Sequence, residues 1–395
     1  MAYSTRIEDY LEAIAGCDAF FVAERPYGKI INYRQMGNDV FPDPATAPDA
    51  HTAYLWGLRR QCRGLIFDLE GNVISPGFEK FFNVSEREET LVNNLPFDEP
   101  HVILEKMDGS MVRPMPLADG GYLMSTKMGP TDVAANADRW VRAHDNYDRF
   151  MRDTIAQGLM PLLEWCSRQN RIVIDYPEDR LVLLAVRDVR TGEYLPLNMM
   201  LELAGEYGVE TVRRYVGTPD SMQHLMEETR GILDQEGWVV VWPHMRVKIK
   251  GEQYVAVHRA KENILRENAV IEMILDEKLD DVKSFLPQED RENLERFETE
   301  FWHGVNDTAG QWQLAYLDTK GVFGTDRKAF ALGAAQSMEG FLRAAIFKAW
   351  DDAQFDWLAA VQDAVRKNLS TGAKTEAVRH LWGGARWQAH NMGED

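Results

Sequence analysis

Val102-Ile103-Leu104-Glu105-Lys106-Met107-Asp108-Gly109-Ser110 is the stretch that decides how this chain is read. An apolar run of strand length ends in a lysine, and a glycine turn follows. A lysine amine is ordinarily protonated and a poor nucleophile. It reacts only where its surroundings lower its pKa or take its proton. Lys106 at a strand end, ahead of such a turn, fits an enzyme that takes a nucleotide covalently onto an amine. Taken alone, Lys106-Met107-Asp108-Gly109 is equally a surface turn.

Composition bounds the answer. At 395 residues the chain has length for two or three domains. An apolar fraction of 45% and 11 tryptophans support packed cores. Cys17, Cys62 and Cys166 form no CxxC pair and no disulfide framework, which reads as a reducing, cytoplasmic setting. No apolar run is long enough to cross a bilayer. The opening Met1-Ala2-Tyr3-Ser4-Thr5-Arg6 lacks the basic and apolar regions of a secretory signal, so no membrane partner is expected. The net charge of −19 excludes a general nucleic-acid coat but leaves room for a small basic cleft.

The first 255 or so residues mix helix and strand signals. A helix is expected over Ile7 to Ala15. Strands are expected at Phe20-Phe21-Val22-Ala23 and Ile30-Ile31-Asn32-Tyr33, with a further hairpin across Glu70-Gly71 and a buried strand from Leu181 to Val186. Trp238 to Trp242 and Met245 to Lys250 read as a hairpin. Its second arm alternates, placing Arg246, Lys248 and Lys250 on one face and Val247 and Ile249 on the other. Three cations on one strand face need an anionic counterpart, either neighbouring carboxylates or phosphate. From about Ala260 helical spacing takes over, with later helices at Glu289 to Trp302 and at Phe330 to Trp350, the latter capped at Asp326. A break in the last helical stretch is expected at Thr371-Gly372-Ala373.

Six short segments can be read as one site: Arg63-Gly64, Glu79 to Asn83, the Lys106 loop, Leu162 to Trp165, Glu236-Gly237, and Val247 to Lys250. Each has a plainer reading. Glu236-Gly237 alone is a turn, Lys248 and Lys250 alone a solvated strand face, Glu164 a partner for an arginine, and Lys80 a snorkelling surface lysine. Their joint order is what carries weight.

That order resembles the covalent nucleotidyltransferases, the polynucleotide ligases and mRNA-capping enzymes. Arg63-Gly64-Leu65-Ile66-Phe67, Glu79-Lys80-Phe81-Phe82-Asn83 and Glu105 to Ser110 resemble the RNA ligase 1 family of T-even phages more closely. So do Asn170-Arg171-Ile172-Val173, Leu183 to Arg187, Thr191-Gly192-Glu193-Tyr194, and Val247-Lys248-Ile249-Lys250 followed by Tyr254. The similarity covers the first 255 or so residues and continues weakly, through Lys283 and Phe297. Two departures stand out. Met107 fills the variable position of the motif, and Thr126-Lys127-Met128-Gly129 carries one residue more than the family's Lys-Gly pairing.

The resemblance implies an α+β fold: a ligase domain of antiparallel sheets with flanking helices over residues 1–257, and an all-α domain over 258–395. It implies an ATP-dependent RNA ligase with RNA as partner, bearing 5′-phosphate and 3′-hydroxyl ends, nicked tRNA among the substrates. A monomer is the family expectation, acting in RNA repair in the cytoplasm, the host's if the chain is phage-encoded. Lys106 would carry AMP, with Lys248 and Lys250 on the α-phosphate side. Glu164 and Glu236 would hold Mg²⁺, with Mn²⁺ as a substitute. Arg63 would contact nucleotide or RNA phosphate, and Lys80 the pyrophosphate or the RNA 5′-end. Glu105 would read adenine through its main chain, and Gly109 would allow close approach to the ribose. Phe82 and Tyr254 would line the nucleotide pocket, Trp165 would stack there or pack in the core, and Asp108 would order the loop. The alternatives are a DNA ligase, an mRNA-capping guanylyltransferase, or a non-catalytic RNA-binding protein with a transferase fold. The helical stretch after Tyr254 disfavours the first two, because DNA ligases usually add a small β-barrel there.

Overall fold

A computed structural model describes residues 2–34, 40–169, 171–352 and 354–389. Asn170, part of one matched stretch, lies outside the described residues. The fold is α+β. Contacts divide the chain into two compact units near Val255, close to the expected 257–258 division. The division falls inside the helix Glu252–Ile264.

The first unit contains twelve strands among its described residues. They are β1 Phe20–Arg25, β2 Gly28–Tyr33, β3 Leu65–Phe67, β4 Val73–Ser75, β5 Phe82–Asn83, β6 Val102–Lys106, β7 Ser110–Pro116, β8 Tyr122–Ser125, β9 Leu159–Cys166, β10 Arg180–Asp188, β11 Gly237–Val241 and β12 Arg246–Lys250. They form three four-stranded sheets, ordered β1-β2-β3-β4, β10-β9-β7-β8 and β5-β12-β11-β6. The pairings are antiparallel except β5 with β12, which run parallel, with Val247 opposite Phe82 and Lys248 opposite Asn83. The expected antiparallel sheets are present, and the one parallel pair involves β5, a two-residue edge strand joined to β12 by a long connection and not by a hairpin.

The β10-β9-β7-β8 sheet buries one face against the helices Asp132–Arg142, Asp145–Ala156 and Leu197–Tyr207. Trp165, Leu163, Leu181 and Leu183 supply the apolar side of that contact. The β5-β12-β11-β6 sheet buries Val240, Val247 and Ile249 against the helix Met222–Arg230. The free faces of both sheets border one cavity.

The second unit is helical. Its core gathers Ile271, Leu294, Phe297, Phe301, Val365 and Trp382. The helix expected over Glu289 to Trp302 runs much further, from Gln288 to Phe323. The stretch expected as one helix from Phe330 to Trp350 is broken. Asp326 does cap its start, accepting from the Ala329 amide at 2.9 Å, but that helix ends at Leu332, before Gly333. A second helix then spans Gly340–Ala349. Thr371 caps the helix Gly372–Val378, so the expected break is the start of a new helix. Lys283 is held by Glu298 at 2.6 Å, and Phe297 is core, so both residues have structural duties here.

Candidate active site

Strand alternation builds the cationic wall. On β12 the odd and even residues separate as expected: Val247 and Ile249 are buried in the core, and Arg246, Lys248 and Lys250 border the cavity. The cross-strand register fixes what stands beside each cation. Lys250 lies across from Gly237, which lies across from Lys106. Lys248 lies across from Val239 and then Leu104. Gly237 is required in this row. Its φ is +147°, and a Cβ there would collide with the Ile249 carbonyl.

Lys106 Nζ donates to Glu236 Oε2 at 2.7 Å, and Lys250 Nζ is 2.9 Å from Glu236 Oε1. Glu236 is thus a buried carboxylate gripped by two lysines from neighbouring strands. Across the cavity, β9 supplies Glu164, also buried. The two carboxylates, Lys106, Lys248, Lys250, Arg63, Lys80 and Tyr254 all border the same cavity of about 910 Å³.

The cations crowd one another. Burial pushes the Lys248 amine down to about 7, and the charges of Lys106, Arg63, Lys80 and Lys250 add to that effect. Burial likewise lowers Lys80 to about 8, with Arg63 the largest repelling charge. Lys80 also lies over the rings of Phe82, at 5.4 Å, and Tyr33, at 5.7 Å. A pocket that gathers this many cations is suited to a polyphosphate.

Asp108 organises the loop after Lys106. Its Oδ2 accepts from the amides of Val173, at 2.8 Å, and Ile174, at 2.6 Å. Its Oδ1 accepts from the Tyr254 hydroxyl at 2.6 Å. Burial and the charge of Glu236 raise the Asp108 carboxyl above its usual range, against the pull of those hydrogen bonds. Tyr254 therefore meets the loop after Lys106 through Asp108, and the Lys250 ammonium lies 5.3 Å from its ring centre.

Several expected contacts are arranged differently. Phe82 is core, flanked by the cations of Lys80, Arg60 and Arg87, while its neighbours Phe81 and Phe78 border the cavity. Alternation at the short β5 segment sends Phe82 inward. Trp165 is core for the same reason, one residue beyond Glu164 on β9. Glu105 borders the cavity; its amide donates to the Arg213 carbonyl at 2.8 Å, and its carboxylate accepts from Arg213 Nε at 2.8 Å. Gly109 does serve a close approach, but to β9. A Cβ there would stand 2.5 Å from the Trp165 carbonyl oxygen.

Sequence reasoning missed one buried assembly. Glu79 accepts from Arg246 at 2.9 Å and from the Tyr194 hydroxyl, and the Arg246 guanidinium lies 3.7 Å from the Tyr194 ring centre. Burial opposes ionisation of Glu79, but Arg246 and Arg187 hold its carboxyl below the usual range. The alternation of β12 signalled Arg246 as a site-facing cation, but nothing in the spacing named Glu79 as its partner.

The carboxylates suit a divalent cation. Mg²⁺ prefers oxygen donors and commonly takes one or two carboxylates, completing its shell with water and phosphate. Among the described residues no group of three or more His, Cys, Asp or Glu could hold a metal unaided. Glu164 and Glu236 are the buried carboxylates of this cavity that would contribute to such a shell.

Residues 61–254 match the RNA ligase family of the T4 RNA ligase 1 type. This segment belongs to that family. Every residue assigned to the site lies inside the RNA ligase segment. The chain is also 28% identical over 286 residues, 70% of each protein, to a protein of Thermovibrio ammonificans provisionally named an RNA ligase. Among solved structures, an archaeal ATP-dependent RNA ligase aligns over 69% of this chain and 68% of its own, at 18% identity and a TM-score of 0.46. A variant of the Naegleria gruberi RNA ligase, with ATP and Mn, aligns over 40% and 52%, at 14% identity and a TM-score of 0.34. These structural likenesses are too distant to place any residue. Among the described residues, no helix is long and apolar enough to cross a membrane.

Proposed function

We propose that the chain is an ATP-dependent RNA ligase that works through a covalent lysyl-AMP on Lys106. The observation that carries this reading is the Lys106–Glu236–Lys250 arrangement at the floor of a cation-lined cavity within the RNA ligase segment.

In the first step the Lys106 amine attacks the α-phosphorus of ATP. A phosphorus–nitrogen bond forms, the bond to pyrophosphate breaks, and the amine loses its proton. In the second step an oxygen of an RNA 5′-phosphate displaces the amine and takes the AMP. In the third, an RNA 3′-hydroxyl attacks that activated phosphate, a phosphodiester forms and AMP leaves.

Such transfers depend on positioning and on neutralising developing charge. Lys248 and Lys250 supply cations beside Lys106, and Lys80 and Arg63 extend the cationic wall outward. Glu236 orients the Lys106 side chain and is the nearest acceptor for its proton. A divalent cation held by Glu164 and Glu236 would add charge neutralisation at the phosphates. Asp108 and Tyr254 keep the loop in place and take no part in bond making. Incubation with ATP and Mg²⁺ should add AMP to the intact protein, and peptide mapping should locate it on Lys106. Lys106→Ala should carry none. GMP transfer from GTP in place of AMP would instead indicate a capping enzyme.

RNA repair is the biological use this chemistry fits, with a nicked tRNA anticodon loop as a candidate substrate for the helical unit. Sealing of that loop should outpace sealing of an unstructured strand of equal length. Equal rates would remove the tRNA assignment and leave the chemistry intact.

A further inference from the structure

A second concavity of about 790 Å³ is lined by Arg25, Tyr27, Tyr33, Arg34 and Lys127. Tyr33 and Lys127 also border the main cavity, so the two concavities adjoin at these residues. The groove therefore begins beside Lys80, whose ammonium lies 5.7 Å from the Tyr33 ring centre, and runs outward to Arg34 and Arg25.

Its walls are firmly set. Lys127 sits in a tight turn closed by the Thr126 amide on the Gly129 carbonyl at 2.9 Å, and by the Gly129 amide on the Thr126 carbonyl at 3.1 Å. Asn32, buried on β2, donates to the Lys127 carbonyl at 3.2 Å. Gly64, next to Arg63, lies against the same turn at a φ of +73°, and a Cβ there would overlap the Lys127 backbone. The Tyr33 ring is braced edge-on by Phe41, with centroids 5.0 Å apart. Arg25 and Arg34 make no ion pair among the described residues. Arg25 donates instead to the Glu24 carbonyl at 3.0 Å, and Arg34 lies over the Phe21 ring.

We propose that this groove is a binding track for single-stranded RNA, holding the strand that leads to the reacting end. The inference rests on the ligase reading for the identity of the strand. The groove supplies the two elements that single-strand binding requires: cations to meet phosphates, in Arg25, Arg34 and Lys127, and aromatic rings for bases to pack against, in Tyr27 and Tyr33. Against an overall charge of −19, a local basic patch matters for holding a polyanion. Lys127 stands at the junction of the cavity and the groove.

The test compares the wild type with Arg25→Ala/Arg34→Ala, read in two ways. Lys106 adenylylation with ATP alone should be unchanged, which also verifies folding. Affinity for a 5′-phosphorylated or a 3′-hydroxyl single-stranded RNA of about ten nucleotides should fall about tenfold at low salt. The slope of log affinity against log salt should flatten by about 1.4, since each single-strand phosphate contact accounts for roughly 0.7. Comparing the two RNAs identifies which strand occupies the track. Wild-type affinity and slope for both RNAs in the double variant would overturn the proposal. Binding measured on Lys106→Ala, which needs no chemistry, separates the two readings. A wild type that forms no AMP adduct would sink the ligase mechanism, whereas the salt slope would still report on the groove.

Discussion

Glu236 Oε2 accepts a 2.7 Å hydrogen bond from Lys106, and its other oxygen faces Lys250 at 2.9 Å. One buried carboxylate thus sets the positions of Lys106, the proposed nucleophile, and of Lys250 together. Without it, two lysine ammoniums would face each other across Gly237.

Glu236→Gln should therefore slow lysyl-AMP formation by roughly 100-fold or more, the scale for loss of one preorganised polar group in an active site. A single-turnover assay with labelled ATP measures this directly. A rate equal to the wild type would reduce Glu236 to a structural ion-pair partner.

Lys248 carries a cost in stability. An unfolded lysine titrates near 10.4, whereas burial and its cationic neighbours bring the folded amine down to about 7. Between those values the unfolded chain holds a proton the folded chain has lost, so stability contributed through this group rises with pH across that window. Below about 7 the cost of the crowded charge is fully present. Lys248→Met should raise the thermal midpoint at pH 7 by roughly 2–4 °C while suppressing AMP transfer. The gap between variant and wild type should narrow at pH 9, and a gap of the same size at both pH values would count against the crowding account.

Tyr254→Phe removes the donor to Asp108 Oδ1. A buried acceptor left unpaired costs about 1–3 kcal/mol, which urea unfolding would register. Adenylylation should slow as well, since Asp108 stands two residues from Lys106. An unshifted urea midpoint would mean that Asp108 finds another donor.

Gly64→Ala forces a side chain into a left-handed backbone position against the Lys127 turn. The backbone strain alone costs roughly 1–3 kcal/mol. RNA joining should suffer more than AMP loading, because the displaced turn carries Lys127 at the mouth of the groove. Equal losses in both steps would point to general unfolding.

The chemistry-bearing strands were legible because their signals are local. The alternation of Arg246 to Lys250 declared which residues face the site, and the apolar run before Lys106 declared a strand. The parallel pairing of β5 with β12 was not legible, since two residues carry no periodicity and their partner lies far along the chain. Phe82 and Phe81 show the same limit. Adjacent identical residues on so short a segment give no indication of which one faces inward. The roles of Arg213, Tyr176 and Glu79 depend on contacts across more than sixty positions of sequence, as in the Tyr176 hydroxyl that meets the Asp108 amide at 3.0 Å. The break at Gly333 in the helical unit had a residue-level signal in that glycine, and the long helix Gln288–Phe323 overran the expected end at Trp302 because its apolar residues continue through Val305 and Trp312.

Strand β12 serves two masters at once, with packing on one side and a cation-lined cavity on the other. A single inserted or deleted residue there would exchange the sides, sending lysines into the apolar layer and valine into the cavity. Length variation in this hairpin is therefore forbidden even where point changes are tolerated. A library of one-codon insertions across the gene should return no functional clones between Gly237 and Lys250, in contrast to the exposed loop around Asp119 and Gly120.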